Sequence, residues 1–220
     1  MKRCAYLTMR EPGDFVTDYD VSFPAMAEQG WRVETVVWDD PAIDWDGYDA
    51  DVEEQPVGDF VAEFRPDLVG ITANTPQVKQ AWRTAEAIKK VADVPVVLGG
   101  PHVTFTVQET LETMPEVDVV VRGEGDEIII DLVRALEAGT SLETVAGISF
   151  RQDGQIVETA LPPPLDPAKL PLPAFHLMPM DRYHFASLGG PFATVIASRG
   201  CPFQCTFCSE WPFWRSGWRP

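Results

Sequence analysis

The chain has 220 residues, of which 45% are hydrophobic, and its 34 acidic residues against 17 basic ones give a formal net charge of -17. This length is sufficient to bury a sizeable core, and the acidity argues against non-specific nucleic-acid binding, which requires clustered lysine and arginine. No apolar run approaches the ~20 residues of a membrane span, and the amino terminus leads into a short strand instead of a signal-peptide core. We therefore expect a cytoplasmic protein with no membrane span and no nucleic-acid partner.

Short apolar segments rich in β-branched residues alternate with helix-like segments over the first 140 residues. The predicted strands are residues 3–8, 32–38, 68–72, 94–98 and 117–121. The predicted helices are residues 19–29, 57–64, 77–91, 107–114 and 126–138. Near-continuously apolar strands separated by helices are typical of a parallel sheet covered on both faces. The sequence therefore predicts an α/β fold with a doubly wound, five-stranded parallel sheet of the Rossmann-like or flavodoxin-like kind.

Three loops follow the carboxyl ends of the third, fourth and fifth predicted strands, where doubly wound sheets bind ligands. Their candidate ligand-binding residues are Thr72, Asn74, Thr75 and Gln77, then Gly99, Gly100, Pro101 and His102, then Gly123, Glu124 and Gly125. Glycines let the backbone approach a ligand closely, while hydroxyl groups and helix N-termini suit phosphate or amide groups. Glycine is also expected at such turns on geometric grounds, so the prediction of a ligand site depends on the three loops together.

A hairpin and a proline-rich linker are predicted after the sheet. Residues 147–158 form the hairpin, with Asp153 and Gly154 in its turn, and the seven prolines within residues 161–179 favour a stiff extended linker. His176 and His184 near the linker's end are expected to be packing or surface groups. The predicted domains are thus the sheet domain at 1–140, the hairpin and linker at 141–190, and the start of a further domain at 191–220.

Three cysteines lie close together near the carboxyl terminus: Cys201, Cys205 and Cys208. Thiolates are soft ligands that favour iron-sulfur clusters or zinc, and a 4Fe-4S cluster held by three cysteines leaves one iron free for another ligand. A structural zinc site would need a fourth ligand, for which only His176 and His184 are at hand upstream. A disulfide framework would leave one clustered cysteine over, because the fourth, Cys4, is far away in the sequence. Chance clustering is the remaining alternative.

The spacing Cys-x3-Cys-x2-Cys, with Phe207 directly before the third cysteine, resembles the signature of radical S-adenosylmethionine (SAM) enzymes. This resemblance implies that the three cysteines ligate a 4Fe-4S cluster, that the open iron binds SAM, and that Phe207 contacts a cofactor. It further implies reductive formation of a 5'-deoxyadenosyl radical with an electron donor of the flavodoxin or ferredoxin type. In that family the motif follows the first strand of a partial (β/α) barrel, which predicts a strand at residues 192–197.

The segments Val97-Leu98-Gly99-Gly100-Pro101-His102 and Val120-Val121-Arg122-Gly123-Glu124-Gly125 resemble the cobalamin-binding domain of cobalamin-dependent radical SAM proteins. This resemblance implies that cobalamin binds at the strand-end loops. Residues 9–13 read Met-Arg-Glu-Pro-Gly and lack the Asp-x-His-x-x-Gly motif that supplies an axial histidine in methionine-synthase-like domains. Cobalamin is thus expected to bind without a protein axial ligand, with His102 at the loop backbone or the cofactor's periphery.

The first fifty residues resemble a different family, because 7–12 and 36–45 look like the amino-terminal domain of ATP-grasp ligases. Both families begin with a strand, a helix and a strand, so the predicted fold class is unaffected. Nothing after residue 51 resembles the later ATP-binding elements of that family, and ATP binding is not predicted. Because of this resemblance, ligand contacts from the loop after the first strand are not predicted.

The leading hypothesis is the amino-terminal part of a cobalamin-dependent radical SAM enzyme that methylates or oxidatively cyclises an unactivated carbon of a small molecule. The alternatives are a non-catalytic cobalamin-binding module and a radical SAM protein whose sheet is a cofactor-free scaffold. Because the chain ends at Pro220, one strand into the predicted barrel, we expect a fragment that is inactive alone.

Two further features lie around the cysteines. The aromatic residues of 211–218 are predicted to line an apolar pocket over the cluster or to shield it from water. The segment after Ser198 contains one acidic residue, Glu210, and three arginines, Arg199, Arg215 and Arg219. These arginines are candidates to hold an anionic ligand, although three arginines are also common on any protein surface.

Overall fold

The computed structural model describes residues 3–8, 32–37, 50–173, 175, 193 and 195–220, with the backbone alone described for 3–8, 32–37 and 50–56. Its strands are β1 Arg3–Thr8, β2 Arg32–Val37, β3 Leu68–Thr72, β4 Val96–Gly99, β5 Val119–Val121, β6 Ile148–Gln152 and β7 Gln155–Glu158. Its helices are α1 Ala50–Phe64, α2 Val78–Val91, α3 Pro101–Phe105, α4 Val107–Thr113, α5 Gly125–Ala138 and α6 Glu210–Trp214.

The described strands form one sheet in the order β2-β1-β3-β4-β5-β6-β7. Strands β1 to β5 pair in parallel, and β6 and β7 pair antiparallel at the β5 edge. The parallel order 2-1-3-4-5 is flavodoxin-like, with the direction of winding reversed between β1 and β3. The predicted α/β fold with five parallel strands is confirmed.

Helices cover both faces of the sheet. Successive side chains of each strand point to opposite faces, so each strand contributes residues to two cores. Leu98 and Val120 lie in the core on one face, whereas Val97 and Val121 lie in the core on the other. Helices α1 to α4 supply the first core and α5 supplies the second. The helical periodicity predicts most of the apolar stripe that α2 buries, but it also includes Val91 at the end of that helix, which is 49% exposed.

Several element boundaries differ from their predictions. The fourth and fifth strands begin two residues later than predicted, although Val94 and Val117 are buried ahead of them. Val94 and Val117 thus belong to the core, although strand pairing begins two residues after each of them. Helix α1 begins at Ala50 instead of residue 57, and the short helix α3 was not predicted.

The predicted hairpin is present and extends the sheet. Asp153 and Gly154 have φ values of 50° and 76°, the left-handed pair that a tight two-residue β-turn requires. Through β6 the hairpin pairs with β5, so the segment after residue 140 continues the same sheet. The boundary placed at residue 140 stays a prediction.

The strand predicted at 192–197 is wrong for the residues described there. Residues 195–197 are in no strand, and the side chains of Val195 and Ile196 are 59% and 47% exposed. A strand exists only where a neighbouring strand accepts its backbone hydrogen bonds, and these described residues have no such neighbour. The predicted helix at 19–29, the loop at 9–13, His176 and His184 lie outside the described residues.

Candidate functional site

The loops after β3 and β4 are packed directly against each other. Ala73 donates its amide to the carbonyl of Gly99 at 3.1 Å. Gly100 has φ +104°, and a β-carbon there would lie 2.7 Å from the Ala73 carbonyl oxygen and 2.9 Å from Thr72 Oγ1. A side chain at position 100 is thus excluded by both backbone conformation and contact, so this glycine fixes how the two loops meet.

Side chains from these loops form a second set of contacts. His102 Nδ1 lies 3.1 Å from Thr75 Oγ1 and joins the two loops at the surface. Asn74 begins the turn at Thr75–Gln77 and forms a capping box with Gln77, whose Oε1 accepts the Asn74 amide at 3.1 Å. The structure therefore brings the predicted residues of the first two loops together at one edge of the sheet.

Thr104 joins the β4 loop to the β5 loop, and the sequence reasoning missed it. Its hydroxyl donates to the Gly100 carbonyl at 2.9 Å and accepts the Gly123 amide at 3.0 Å. The only signal in the sequence is a threonine in the first turn after Gly-Gly-Pro, which does not specify a partner nineteen residues away. Gly123 itself has φ +71° and sits where the chain turns from β5 into α5.

Glu124 lies at the centre of a buried ion-pair network. Its Oε1 accepts a hydrogen bond from Arg199 Nη1 at 3.1 Å, and its Oε2 accepts one from Arg219 Nη2 at 3.0 Å. Asp126 holds Arg199 by two hydrogen bonds of 2.8 and 3.1 Å. The four side chains are between 8% and 17% exposed. Glu124 was predicted as a cofactor contact and stays so predicted, but both its oxygens are engaged by arginine.

The arginines proposed to hold an anionic ligand already have partners on this chain, which corrects that interpretation. Arg199 and Arg219 pair with Glu124 and Asp126, and Arg215 Nη2 donates to the Pro162 carbonyl at 2.5 Å. The local sequence suggested an excess of cations because the carboxylates that pair with Arg199 and Arg219 lie 73 to 95 residues earlier in the chain.

The ion-pair network favours the charged form of Arg199. Burial acts to lower its pKa, but hydrogen bonds and charges from Asp126 and then Glu124 outweigh burial and raise the pKa above its ordinary value. Arg122, by contrast, has its pKa lowered by burial, which Glu158 opposes and Arg215 reinforces. Arg199 is therefore a permanent cation.

The loop that carries the cysteines is held at both ends. Arg199 and Arg219 form an antiparallel bridge with reciprocal backbone hydrogen bonds of 2.8 and 2.7 Å. Gly200 has φ +82°, and a β-carbon there would meet the Gly217 carbonyl oxygen and lie 3.0 Å from that of Ser216. The loop between Gly200 and α6 thus starts from a position that only glycine fits.

The three thiols lie on this loop at or near the surface. Cys201 and Cys208 are partly buried, Cys205 is exposed, and Cys208 donates its amide to the Cys205 carbonyl at 3.1 Å. Phe207, predicted as a cofactor contact, has a side chain that is 91% exposed. In the described part of the chain, no three Cys, His, Asp or Glu side chains converge as ligands of one metal ion.

The residues nonetheless fit an iron-sulfur cluster by their chemistry. Soft thiols are the ligands that such clusters use, and all three lie on one accessible loop with fixed ends. Beside them, Ser216 Oγ and Arg219 Nε are buried and have no hydrogen-bond partner among the described residues. For cobalamin, the strand-end loops present small residues and partly exposed backbone at Gly99, Gly100 and Gly123.

Two of the aromatic residues after the cysteines, Phe213 and Trp214, pack against the ion-pair network and helix α3, whereas Trp218 is 58% exposed. Trp214 lies under both Arg199 and Arg219, whose guanidinium carbons are 5.6 and 5.9 Å from its ring centroid. Phe213 meets Trp214 edge-on at 4.9 Å and Phe105 of α3 at 6.4 Å. Helix α6 is therefore connected to the β4 loop as well as to the β5 loop.

Comparison with known proteins identifies the domain. A family model described as "B12 binding domain" matches residues 24–133. This match includes the latter part of the segment 1–50 that resembles ATP-grasp ligases. Among solved structures, the cobalamin-dependent S-adenosylmethionine radical enzyme OxsB, with aqua-cobalamin and S-adenosylmethionine bound, matches with a TM-score of 0.76 at 19% identity, over 100% of this chain and 30% of that chain.

Sequence relatives include an uncharacterised methyltransferase of Pyrococcus horikoshii, 40% identical over 79% of this chain and 38% of the relative. The anaerobic magnesium-protoporphyrin IX monomethyl ester cyclase of Rubrivivax gelatinosus is 36% identical over 75% of this chain and 31% of the relative. This chain thus spans about a third of the length of these curated relatives.

None of the helices among the described residues combines the length and apolar character needed to cross a membrane.

The family match covers half of the chain, at the sheet and loops described above, and the predicted recognition is confirmed. The chain belongs to the B12-binding domain family, and its sequence relatives include the cobalamin-dependent radical SAM methyltransferase TokK of Streptomyces tokunonensis, 27% identical over 71% of this chain and 23% of the relative.

Proposed function

We propose that this chain supplies the cobalamin-binding sheet and the cluster-binding loop of a cobalamin-dependent radical SAM enzyme. The reaction is methylation or oxidative cyclisation at an unactivated carbon of a small-molecule substrate, with an electron donor of the flavodoxin or ferredoxin type in the cytoplasm. When bound, the cluster and SAM supply radical chemistry and cobalamin supplies methyl transfer. Cys201, Cys205 and Cys208 hold the cluster, and the loops after β3, β4 and β5 hold cobalamin.

The observation that carries the proposal is the position of the cysteine loop against the ligand-binding edge of the sheet. The β5 loop is tied to the cysteine loop through Glu124, and a β-carbon at Gly123 would lie 3.9 Å from the carbonyl oxygen of Phe213 in α6. Parallel α/β sheets bind ligands at this edge. The two candidate cofactor sites therefore adjoin each other within one folded unit.

The residues divide the work by their chemistry. The thiols, once deprotonated, bind iron, and the exposed position of Cys205 leaves this part of the loop open to an incoming cluster. The small residues at the β3 and β4 loops expose backbone groups that can hydrogen-bond a large planar ligand, while His102 stays engaged with Thr75. No axial histidine is assigned from these loops.

Cluster binding should require all three clustered cysteines. Anaerobic reconstitution of the chain with iron and sulfide, read by absorbance and electron paramagnetic resonance, is expected to load about four irons per chain. Cys201→Ala, Cys205→Ala and Cys208→Ala should each reduce loading to about a tenth or less, because a cluster loses its anchorage when a thiolate is removed.

Cys4→Ala is the matched control, since Cys4 lies in β1 and outside the loop. This variant should load like the parent chain. A cluster that persists in Cys201→Ala and Cys205→Ala would contradict the assignment of ligands. Zinc bound with comparable stoichiometry and without iron would favour the structural-zinc alternative.

Cobalamin binding is tested separately by titrating the purified chain with hydroxocobalamin. Saturable binding with a one-to-one end point is expected, with a change in the visible spectrum of the corrinoid. Saturable cobalamin binding without any cluster would favour the non-catalytic cobalamin module. A cluster without cobalamin binding would favour the reading of the sheet as a cofactor-free scaffold.

A further inference from the structure

The strand-end loop after β5 and the cysteine loop are joined by charge pairs between their side chains. Glu124 accepts hydrogen bonds from both Arg199 and Arg219, and Asp126 binds Arg199 through both carboxylate oxygens. We call these four residues the latch. The Pro-rich segment joins it too, because Leu165 donates its amide to Glu124 Oε2 at 3.2 Å.

The latch is internally balanced and largely removed from water. Two carboxylates oppose two guanidinium groups, and none of the four side chains is more than 17% exposed. In such surroundings, a charge that loses its partner is left buried and uncompensated, which is far more costly than the loss of a surface pair. The latch therefore resists separation of the loops that it joins.

The positions of the latch residues determine which movements it restrains. Arg199 lies two residues before Cys201, and Arg219 is its backbone partner across the base of the cysteine loop. Glu124 directly follows Gly123 at the end of β5, and Asp126 lies in the first turn of α5. A shift of either loop changes the distance between the guanidinium and carboxylate groups and so disturbs the other loop.

We propose that the latch couples the two cofactor sites, so that cluster binding strengthens cobalamin binding and cobalamin binding strengthens cluster binding. This inference rests on the proposed function. Each cofactor orders one of the two loops, and the latch transmits that order, so that the second cofactor meets a loop with less conformational freedom to lose. Coupling between binding sites is reciprocal by thermodynamic necessity. Glu124, Asp126, Arg199 and Arg219 are thus positioning residues.

The test is the hydroxocobalamin Kd of the cluster-free chain compared with that of the anaerobically reconstituted chain. The parent chain should bind hydroxocobalamin about 5- to 150-fold more tightly when the cluster is present, the usual range of such coupling. In Glu124→Gln and in Arg219→Lys this ratio should fall to within about twofold of unity. Arg219→Lys keeps the charge but loses the planar fork that reaches Glu124, so it is the milder of the two changes.

Asp131→Asn is the matched control. It removes an exposed ion pair with Arg134 from the same helix α5, with side chains that are 63% and 54% exposed, and should keep the parent's ratio. If the latch only stabilised the fold, the substitution Glu124→Gln would lower the melting temperature and leave the ratio of the two Kd values unchanged. That result would overturn the coupling.

Amide hydrogen exchange on the parent chain gives a measurement that depends on no variant. Hydroxocobalamin added to the cluster-free chain should slow exchange across residues 199–208, and unchanged exchange there would contradict the inference. Equal Kd values in a parent chain that binds both cofactors would overturn the latch and leave the proposed function standing. A parent chain that binds either cofactor poorly would defeat the proposed function, and the latch with it.

Discussion

Gly200→Ala is expected to abolish cluster loading on a chain whose sheet remains folded. Gly200 has φ +82°, and an added β-carbon would collide with the Gly217 carbonyl oxygen and approach the Ser216 carbonyl to 3.0 Å. The backbone strain alone is of the order of 1–3 kcal/mol, or about 5- to 150-fold in the population of the native loop. The collision adds to this cost because the atoms met are backbone atoms of the facing segment.

The measurement is iron and sulfide content after anaerobic reconstitution, together with the far-ultraviolet circular dichroism of the apoprotein. Gly217→Ala is the matched control on the facing segment, because a β-carbon there meets nothing within 4 Å and its φ is not in the left-handed region. That variant should load as the parent does. Full loading of Gly200→Ala would show that the bridge between Arg199 and Arg219 does not shape the cysteine site.

Gly100→Ala is expected to destabilise the sheet domain and to weaken cobalamin binding at the same time. Gly100 has φ 104° and ψ 174°, a region that is essentially reserved for glycine. The added methyl group would lie 2.7 Å from the Ala73 carbonyl oxygen and 3.0 Å from the Ala73 amide nitrogen. Strain and overpacking together should cost about 2–5 kcal/mol, a large fraction of the stability of an ordinary domain.

Urea denaturation followed by circular dichroism measures this free energy of unfolding, and hydroxocobalamin titration measures the binding. Gly99→Ala serves as the control for stability, because its β-carbon would have only an ordinary contact, at 4.0 Å from Val121 Cβ. We expect Gly99→Ala to unfold within about 1 kcal/mol of the parent, the cost of glycine-to-alanine exchange at an unstrained site. An equal loss in the two variants would indicate that the Gly100 conformation carries no special constraint.

The sheet could be predicted from the sequence because its signals are local. Each buried strand is a short run of β-branched residues, and the stripe that α2 turns to the core recurs at helical spacing within fourteen residues. The Asp153-Gly154 turn likewise specifies its hairpin through two adjacent backbone conformations. Helix α3 was not predicted because its five residues, which begin at the proline of Gly-Gly-Pro, are too few to establish a periodicity.

Some residues of the candidate site could likewise be predicted from local sequence, whereas others depend on partners that are distant in the chain. Cys201, Cys205 and Cys208 are recognisable because their spacing is itself the signal, and the glycines of the strand-end loops follow from the topology of the sheet. The predicted role of Arg199 and Arg219 as receptors for an anionic ligand was wrong because their carboxylate partners, Glu124 and Asp126, are 73 to 95 residues away. Thr104 is a further such case, since its hydroxyl links two loops that no local pattern connects.

By itself, the sequence determined the alternation of the parallel strands with helices, the edge of the sheet where a ligand site is predicted, and the three thiols suited to a cluster. These features depend on periodicity, turn chemistry and close spacing, all of which act over a few residues. Only the tertiary structure decided that Gly100 and Gly200 are sites of close backbone contact and that the cysteine loop is paired with the β5 loop through buried charges. Such contacts join residues far apart in the chain, because the packing of the whole sheet, and no local preference, brings their carboxylates, guanidinium groups and backbone carbonyls together.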